Sequence, residues 1–147
     1  MSSFKILGGK SLKGEVKPQG AKNEALQILC AVLLTEDEIT IKNVPDIKDV
    51  NLLIELLRGM GVNVEKVNET TYKFKSKNID LAYTRTQDFF EKSSKIRGSI
   101  MLMGPMVARF GSAYIAKPGG DKIGRRRVDT HFIGLQELGA KFTVEEK

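Results

Sequence analysis

The chain has 147 residues, 41% of them hydrophobic and 29% charged, which suits one ordinary packed domain or a piece of something larger and argues against disorder. A net charge of +6 favours an anionic partner without choosing among nucleic acid, phosphorylated metabolites and acidic membranes. The single cysteine, Cys30, excludes an intramolecular disulfide and fits a reducing, cytoplasmic setting.

No apolar run is long enough for a signal peptide or a membrane span. Residues 1–20 predict two short strands, one around Phe4, Ile6 and Leu7 and one from Leu12 to Val16, ended by Pro18 and Gly20. Ala21 to Thr35 predicts a helix, apolar on nearly every side from Ala25 to Leu34 and therefore buried all round. Glu38 to Val44 alternates like a strand. A second helix runs from Pro45 and Asp46 to Arg58, with Ile47, Val50, Leu53, Ile54 and Leu57 on one face. Two strands follow around the turn Asn68-Glu69-Thr70, so the unit 21–77 reads helix, strand, helix, strand, strand.

A weaker copy of that unit spans 97–147. After a polar stretch from Thr84 to Lys95 come an apolar helix from Gly98 to Gly111, irregular at Pro105, and a strand over 112–117. A glycine- and arginine-rich loop, a helix from Thr130 to Gly139 and a strand from Ala140 complete it. Gly61 and Gly139 end matching phrases 78 residues apart, as a duplicated supersecondary unit requires. The second copy stops where its hairpin turn is expected, so the sequence reads as cut inside a repeat.

The chemistry concentrates in two places. Lys117 to His131, KPGGDKIGRRRVDTH, joins a tight Pro-Gly-Gly turn to Asp121, to the consecutive Arg125, Arg126 and Arg127, and to Asp129, a candidate N-cap. Consecutive arginines cannot all face one way, and at least one is expected to grip an anion bidentately. The other place is Gly20 to Ala25, where Lys22 and Asn23 open an apolar helix. A cation at the positive end of a helix dipole suggests an anion beside it. Arg97 stands at the corresponding end of the second apolar helix. Solvated loops and surface lysines account for such residues in most proteins, and the same goes for His131. Cys30 reads as an inert core residue. No His/Cys cluster has metal-ligand spacing, and no Walker loop or dinucleotide fingerprint is present. Few aromatics accompany the basic residues, against base stacking on single strands.

GEVKPQGAKNEAL, IKNVPDIKDV, SKIRGSIMLMGPMVARFG and PGGDKIGRRRVDTH resemble, in order and spacing, successive motifs of the UDP-N-acetylglucosamine 1-carboxyvinyltransferase family. The resemblance covers essentially the whole chain. It implies an inside-out α/β barrel of repeated βαβαββ-type units with helices inside. Residues 1–20 then belong with the second domain, and 21–147 form an incomplete first domain. It also implies transfer of enolpyruvyl from phosphoenolpyruvate to the 3-hydroxyl of UDP-N-acetylglucosamine, the first committed step of peptidoglycan synthesis. No cofactor, metal, membrane or nucleic-acid partner is implied, and the 147 residues alone are expected to be inactive without the C-terminal part of the chain. The competing reading is a non-catalytic anion- or RNA-binding α/β module.

Residue roles follow from the resemblance. Lys22 and Asn23 match a pair that contacts phosphoenolpyruvate and the sugar nucleotide, and Lys22 is also a catalytic candidate. Arg97 and Arg126 match substrate-binding arginines, and Val128, Asp129 and Thr130 line the nucleotide side. Arg127 stands where the family has proline, which leaves its contact open. Asp121 stands where most members have a cysteine that serves as general acid.

Overall fold

The computed structural model describes residues 3–119 and 127–145. The first unit follows the expected order: α1 (Lys22–Ala31), β1 (Glu38–Ile41), α2 (Lys48–Gly59), β2 (Asn63–Lys66) and β3 (Tyr72–Lys75). The three strands form one antiparallel sheet in the order β1-β3-β2. Period-2 alternation decides its faces. Ile39, Phe74 and Val64 lie in one row across the sheet and turn inward, while Glu38, Lys73 and Lys75 belong to the charged outer face. Lys73 pairs with Glu38 at 3.1 Å there.

Helix α2 carries the stripe its sequence dictates, with Val50, Leu53, Ile54, Leu56 and Leu57 buried. It packs on α1, and the two helices share a core with Phe74 and Phe89. Helix α1 differs from expectation. It ends at Ala31 in a 3-10 turn, Val32–Leu34, and is not buried all round, because Ile28 is 43% exposed. Ala25, Leu26, Leu29, Cys30, Val32 and Leu33 turn to the core. An apolar periphery does not fix burial; the positions of neighbouring helices do.

The polar stretch after β3 is not a loop. It holds a 3-10 turn, Leu81–Arg85, and helix α3 (Gln87–Ser93), capped where Thr86 Oγ1 accepts from the Phe89 N–H at 3.2 Å. Phe89 is fully buried against α2. Beyond it a 3-10 segment, Arg97–Leu102, passes into α4 (Met103–Phe110). Pro105 lies in the first turn of α4, where its missing N–H costs nothing. The irregularity expected at Pro105 therefore appears just before it.

Four expected strands, in three segments, are absent among the described residues. Residues 3–20 carry none, and Phe4, Ile6, Leu12 and Val16 are exposed. The segment 112–117 sends Ala113 and Ile115 to the core and buries Ala116, yet pairs with no described strand. Residues 140–145 likewise join no sheet, and Val144 is exposed. Period-2 patterning supplies a face, but a strand also needs a ladder partner, and none of these three has one among the described residues.

Two helix ends nevertheless match in backbone geometry. Helix α5 (Asp129–Glu137) ends as α2 does. Gly61 has φ +92° and Gly139 φ +95°, a left-handed conformation that favours glycine. The N–H groups of Met60, Gly61 and Val62 donate to the carbonyls of Leu56, Arg58 and Leu57. Those of Leu138, Gly139 and Ala140 donate to Gly134, Gln136 and Leu135, each 78 positions on. A Cβ at Gly61 would also stand 2.4 Å from the Asn78 carbonyl oxygen. Gly61→Ala is expected to lose about 1–3 kcal/mol of stability in urea melts. Gly139→Ala, with open space around it, is expected to lose less.

Candidate functional site

Lys22 is the first residue of α1, and Asn23 the second. Arg97 is the first residue of the 3-10 segment that packs beside α1. The approach is close at Gly98, where an added Cβ would meet the Leu26 side chain at 3.0 Å. The matched helix starts read from the sequence thus meet in space. Lys22, Asn23 and Arg97 line one cleft of about 250 Å³, together with Asp49, His131, Gln27, Gly98 and the apolar Leu26, Ile100 and Met101. Two cations, one carboxylate, two amides and an imidazole over an apolar wall form a site suited to an anion with an organic body.

Lys22 already has an anion. Its Nζ lies 2.7 Å from Asp49 Oδ2, and both side chains are partly exposed. The unfavourable position of a lysine at a helix N-terminus is offset by a carboxylate reaching across from α2. Sequence reasoning passed over Asp49 because an acid in the first turn of a helix is explained by the dipole alone.

The loop before α5 is tied to the cleft by its backbone. Arg97 Nη2 donates to the Arg127 carbonyl at 2.7 Å. The Arg127 side chain turns to Asp129, with Nε 3.0 Å from each carboxylate oxygen and Nη2 closer still to Oδ2. The hydrogen bond and charge of Asp129 raise the pKa of that guanidinium. Asp129 therefore does not cap the helix as expected. It is the first residue of α5, the capping position falls to Val128, and no side chain caps the end. Val128 and Thr130 adjoin this pair but do not line the cleft. Asp121 and Arg126 lie outside the described residues.

His131, exposed on α5, faces the cleft. Cys30 is buried, its thiol donates to the Leu26 carbonyl at 3.2 Å, and burial pushes its pKa far up, so it is held as a thiol and takes no part in the site.

A larger, more open hollow of about 770 Å³ lies elsewhere, lined by Glu36, Lys77, Asn78, Ile79, Asp80, Arg109 and Phe110. Its main cation is committed to structure. Arg109 Nη1 donates to the carbonyls of Ser76, Leu33 and Thr35 at 2.8, 2.9 and 3.2 Å, and Nη2 pairs with Glu36 at 3.2 Å. The size of that hollow does not make it the site. Among the described residues no group of His, Cys, Asp and Glu is arranged to hold a metal, and no helix is long and apolar enough to cross a membrane.

Known proteins resemble the chain along its whole length. It is 63% identical over 147 residues to the UDP-N-acetylglucosamine 1-carboxyvinyltransferase of Bacteroides fragilis, covering all of this chain and 34% of that protein. The enzyme of the same name from Porphyromonas gingivalis is 56% identical over 140 residues, 95% of this chain and 32% of that one. The chain therefore spans about a third of the length of these curated relatives. Among solved structures, the enolpyruvyl transferase NikO from Streptomyces tendae matches 71% of this chain and 23% of its own, with a TM-score of 0.60 and 26% identity. Residues 6–147 match the family model described as EPSP synthase (3-phosphoshikimate 1-carboxyvinyltransferase), and the chain belongs to that family.

Proposed function

We propose that the full-length protein carrying this chain transfers enolpyruvyl from phosphoenolpyruvate to the 3-hydroxyl of UDP-N-acetylglucosamine, releasing phosphate, in peptidoglycan synthesis in the cytoplasm. The observation that carries this reading is the 63% identity, without a gap in coverage, to a relative of that name. The cleft supports it, because both substrates are anions with an organic body.

In this reading Lys22 and Arg97 neutralise anionic groups of the substrates, and Asn23 supplies a donor and an acceptor beside them. Arg126, Val128, Asp129 and Thr130 hold the sugar nucleotide. Arg127, clamped to Asp129, stands in place of the family's proline. Asp121 delivers the proton to the methylene carbon of phosphoenolpyruvate while the sugar hydroxyl attacks the adjacent carbon. A carboxyl does this only when protonated, and an ordinary carboxyl with a pKa of about 3.9 is ionised at neutral pH. The arginines that follow it in sequence favour the ionised form, and the bound substrate anions favour the protonated one. Residues 1–20 pack with the second domain, and 21–147 belong to the first. The remaining acid, base and arginine groups come from the rest of the full-length protein, so the 147 residues alone are inactive.

The test is phosphate release by the full-length protein. Release that requires both phosphoenolpyruvate and UDP-N-acetylglucosamine is expected, and none from the 147-residue chain. Failure of the full-length protein with that pair sinks the reading. A second measurement addresses Asp121. Intact-mass analysis after incubation with an epoxide of the fosfomycin type is expected to find no adduct on the unaltered protein and one adduct on Asp121→Cys, since a thiolate attacks an epoxide far faster than a carboxylate does. Cys30 stays unlabelled, being buried.

A further inference from the structure

The ion pair between Lys22 and Asp49 joins residues 27 apart in sequence, from two helices, inside the cleft assigned above to anion binding. A ligand phosphate at Lys22 Nζ would stand beside the Asp49 carboxylate, and like charges at that distance repel. One of the two must leave the ammonium. Asp49 has somewhere to go. It occupies the first turn of α2, an end that no side chain caps, where a carboxylate is favoured by the helix dipole and by N–H groups without an intrahelical partner.

We infer that Asp49 is a displaceable counter-ion of Lys22: it holds the ammonium when the cleft is empty of anion, withdraws to the N-terminal end of α2 when a phosphate binds, and returns to expel that phosphate. This deepens the functional reading above and rests on it. A transferase that liberates phosphate has to let it go, and a cleft with two cations and no internal competitor would hold it. Exchange of one anion for another at Lys22 keeps the ammonium paired in both states. No covalent step is involved.

The experiment titrates inorganic phosphate into the full-length protein at about pH 8, where the ion is chiefly dianionic. Binding is read on the ¹³C-methylated Lys22 signal, identified by its absence in Lys22→Arg. Asp49→Asn is expected to bind phosphate about fivefold tighter, the worth of a partly exposed ion pair. Asp49→Ser, included should the first variant fold poorly, is expected to do the same. Asp46→Asn is the charge control. That residue holds Asn51 at 2.7 Å on the same approach to α2, and its loss is expected to change phosphate binding less than twofold. Phosphate binding that is unchanged or weaker in both Asp49 variants overturns the inference, since Asp49 then only orients Lys22. An equal gain in Asp46→Asn, or no phosphate response at Lys22 in the unaltered protein, overturns it too. Transferase activity is measured separately. Phosphate exchange of the expected pattern without transfer to UDP-N-acetylglucosamine sinks the functional reading; transfer with phosphate binding unchanged in both Asp49 variants sinks this inference alone.

Discussion

Lys22→Ala in the full-length protein is expected to lower kcat/KM by about 2–3 kcal/mol of transition-state stabilisation, roughly 30–150-fold, while leaving the fold intact. The two halves of that expectation have separate grounds. Lys22 is largely outside the core and its partner, Asp49, is a partly exposed carboxylate, so its loss from the resting protein costs at most about 1 kcal/mol of stability. Against a substrate anion in the cleft the same ammonium stands beside Arg97 and an apolar wall, where a lost charged donor is not replaced by water at equal value. Lys22→Arg is expected to recover part of the loss, because it keeps the charge but not the compact geometry. Steady-state kinetics beside a urea melt separate the effects. A variant with near-normal kcat/KM removes Lys22 from the site; one that loses activity and stability together reassigns it to the fold. Arg126→Ala carries the same kinetic expectation on the strength of the family motif.

Much of the site was legible because its residues break local rules. A lysine at the positive end of an apolar helix is an anomaly, and the structure answers it with Asp49. Asp49 itself was hidden because it obeys every local rule; only the packing of α2 on α1 makes it a partner. The same contrast runs through the fold. Strong 3.6-residue periodicity placed α2, and the 78-residue spacing of Gly61 and Gly139 anticipated matching helix ends. Helix α3 was missed, although Thr86 three residues before the buried Phe89 is a capping signal, because a seven-residue helix with one buried aromatic shows no period. The four expected strands that did not form had the right alternation. What they lacked was a neighbour, and pairing is a property of two segments that neither reveals alone.

The last expectation concerns Arg109, which sequence reasoning did not single out. It lies near the end of α4, and its guanidinium reaches the carbonyls of Leu33 and Thr35 after α1 and of Ser76 after β3. These are the places where the helical and sheet layers of the first unit end, and one side chain fastens α4 to both. The side chain is 15% exposed, so the carbonyls it serves have limited access to water. Arg109→Ala is expected to lose about 3 kcal/mol, from several charge-assisted hydrogen bonds whose acceptors are left poorly satisfied. For a chain of this length that corresponds to a fall in Tm of very roughly 10 °C. Lys92→Ala removes a cation paired with Asp88 at 3.0 Å and Glu55 at 3.8 Å, and is expected to cost under about 1 kcal/mol because both acids are about half exposed. Ser76→Ala offers the opposite sign. The Ser76 hydroxyl is buried with no partner among the described residues, so its removal is expected to be neutral or slightly stabilising, while the Ser76 carbonyl goes on serving Arg109. Urea denaturation with a shared m-value ranks the three. An Arg109→Ala loss no greater than that of Lys92→Ala would mean that water replaces the guanidinium at those carbonyls, and that α4 is held by Met103 and Met106 in the core rather than by its arginine.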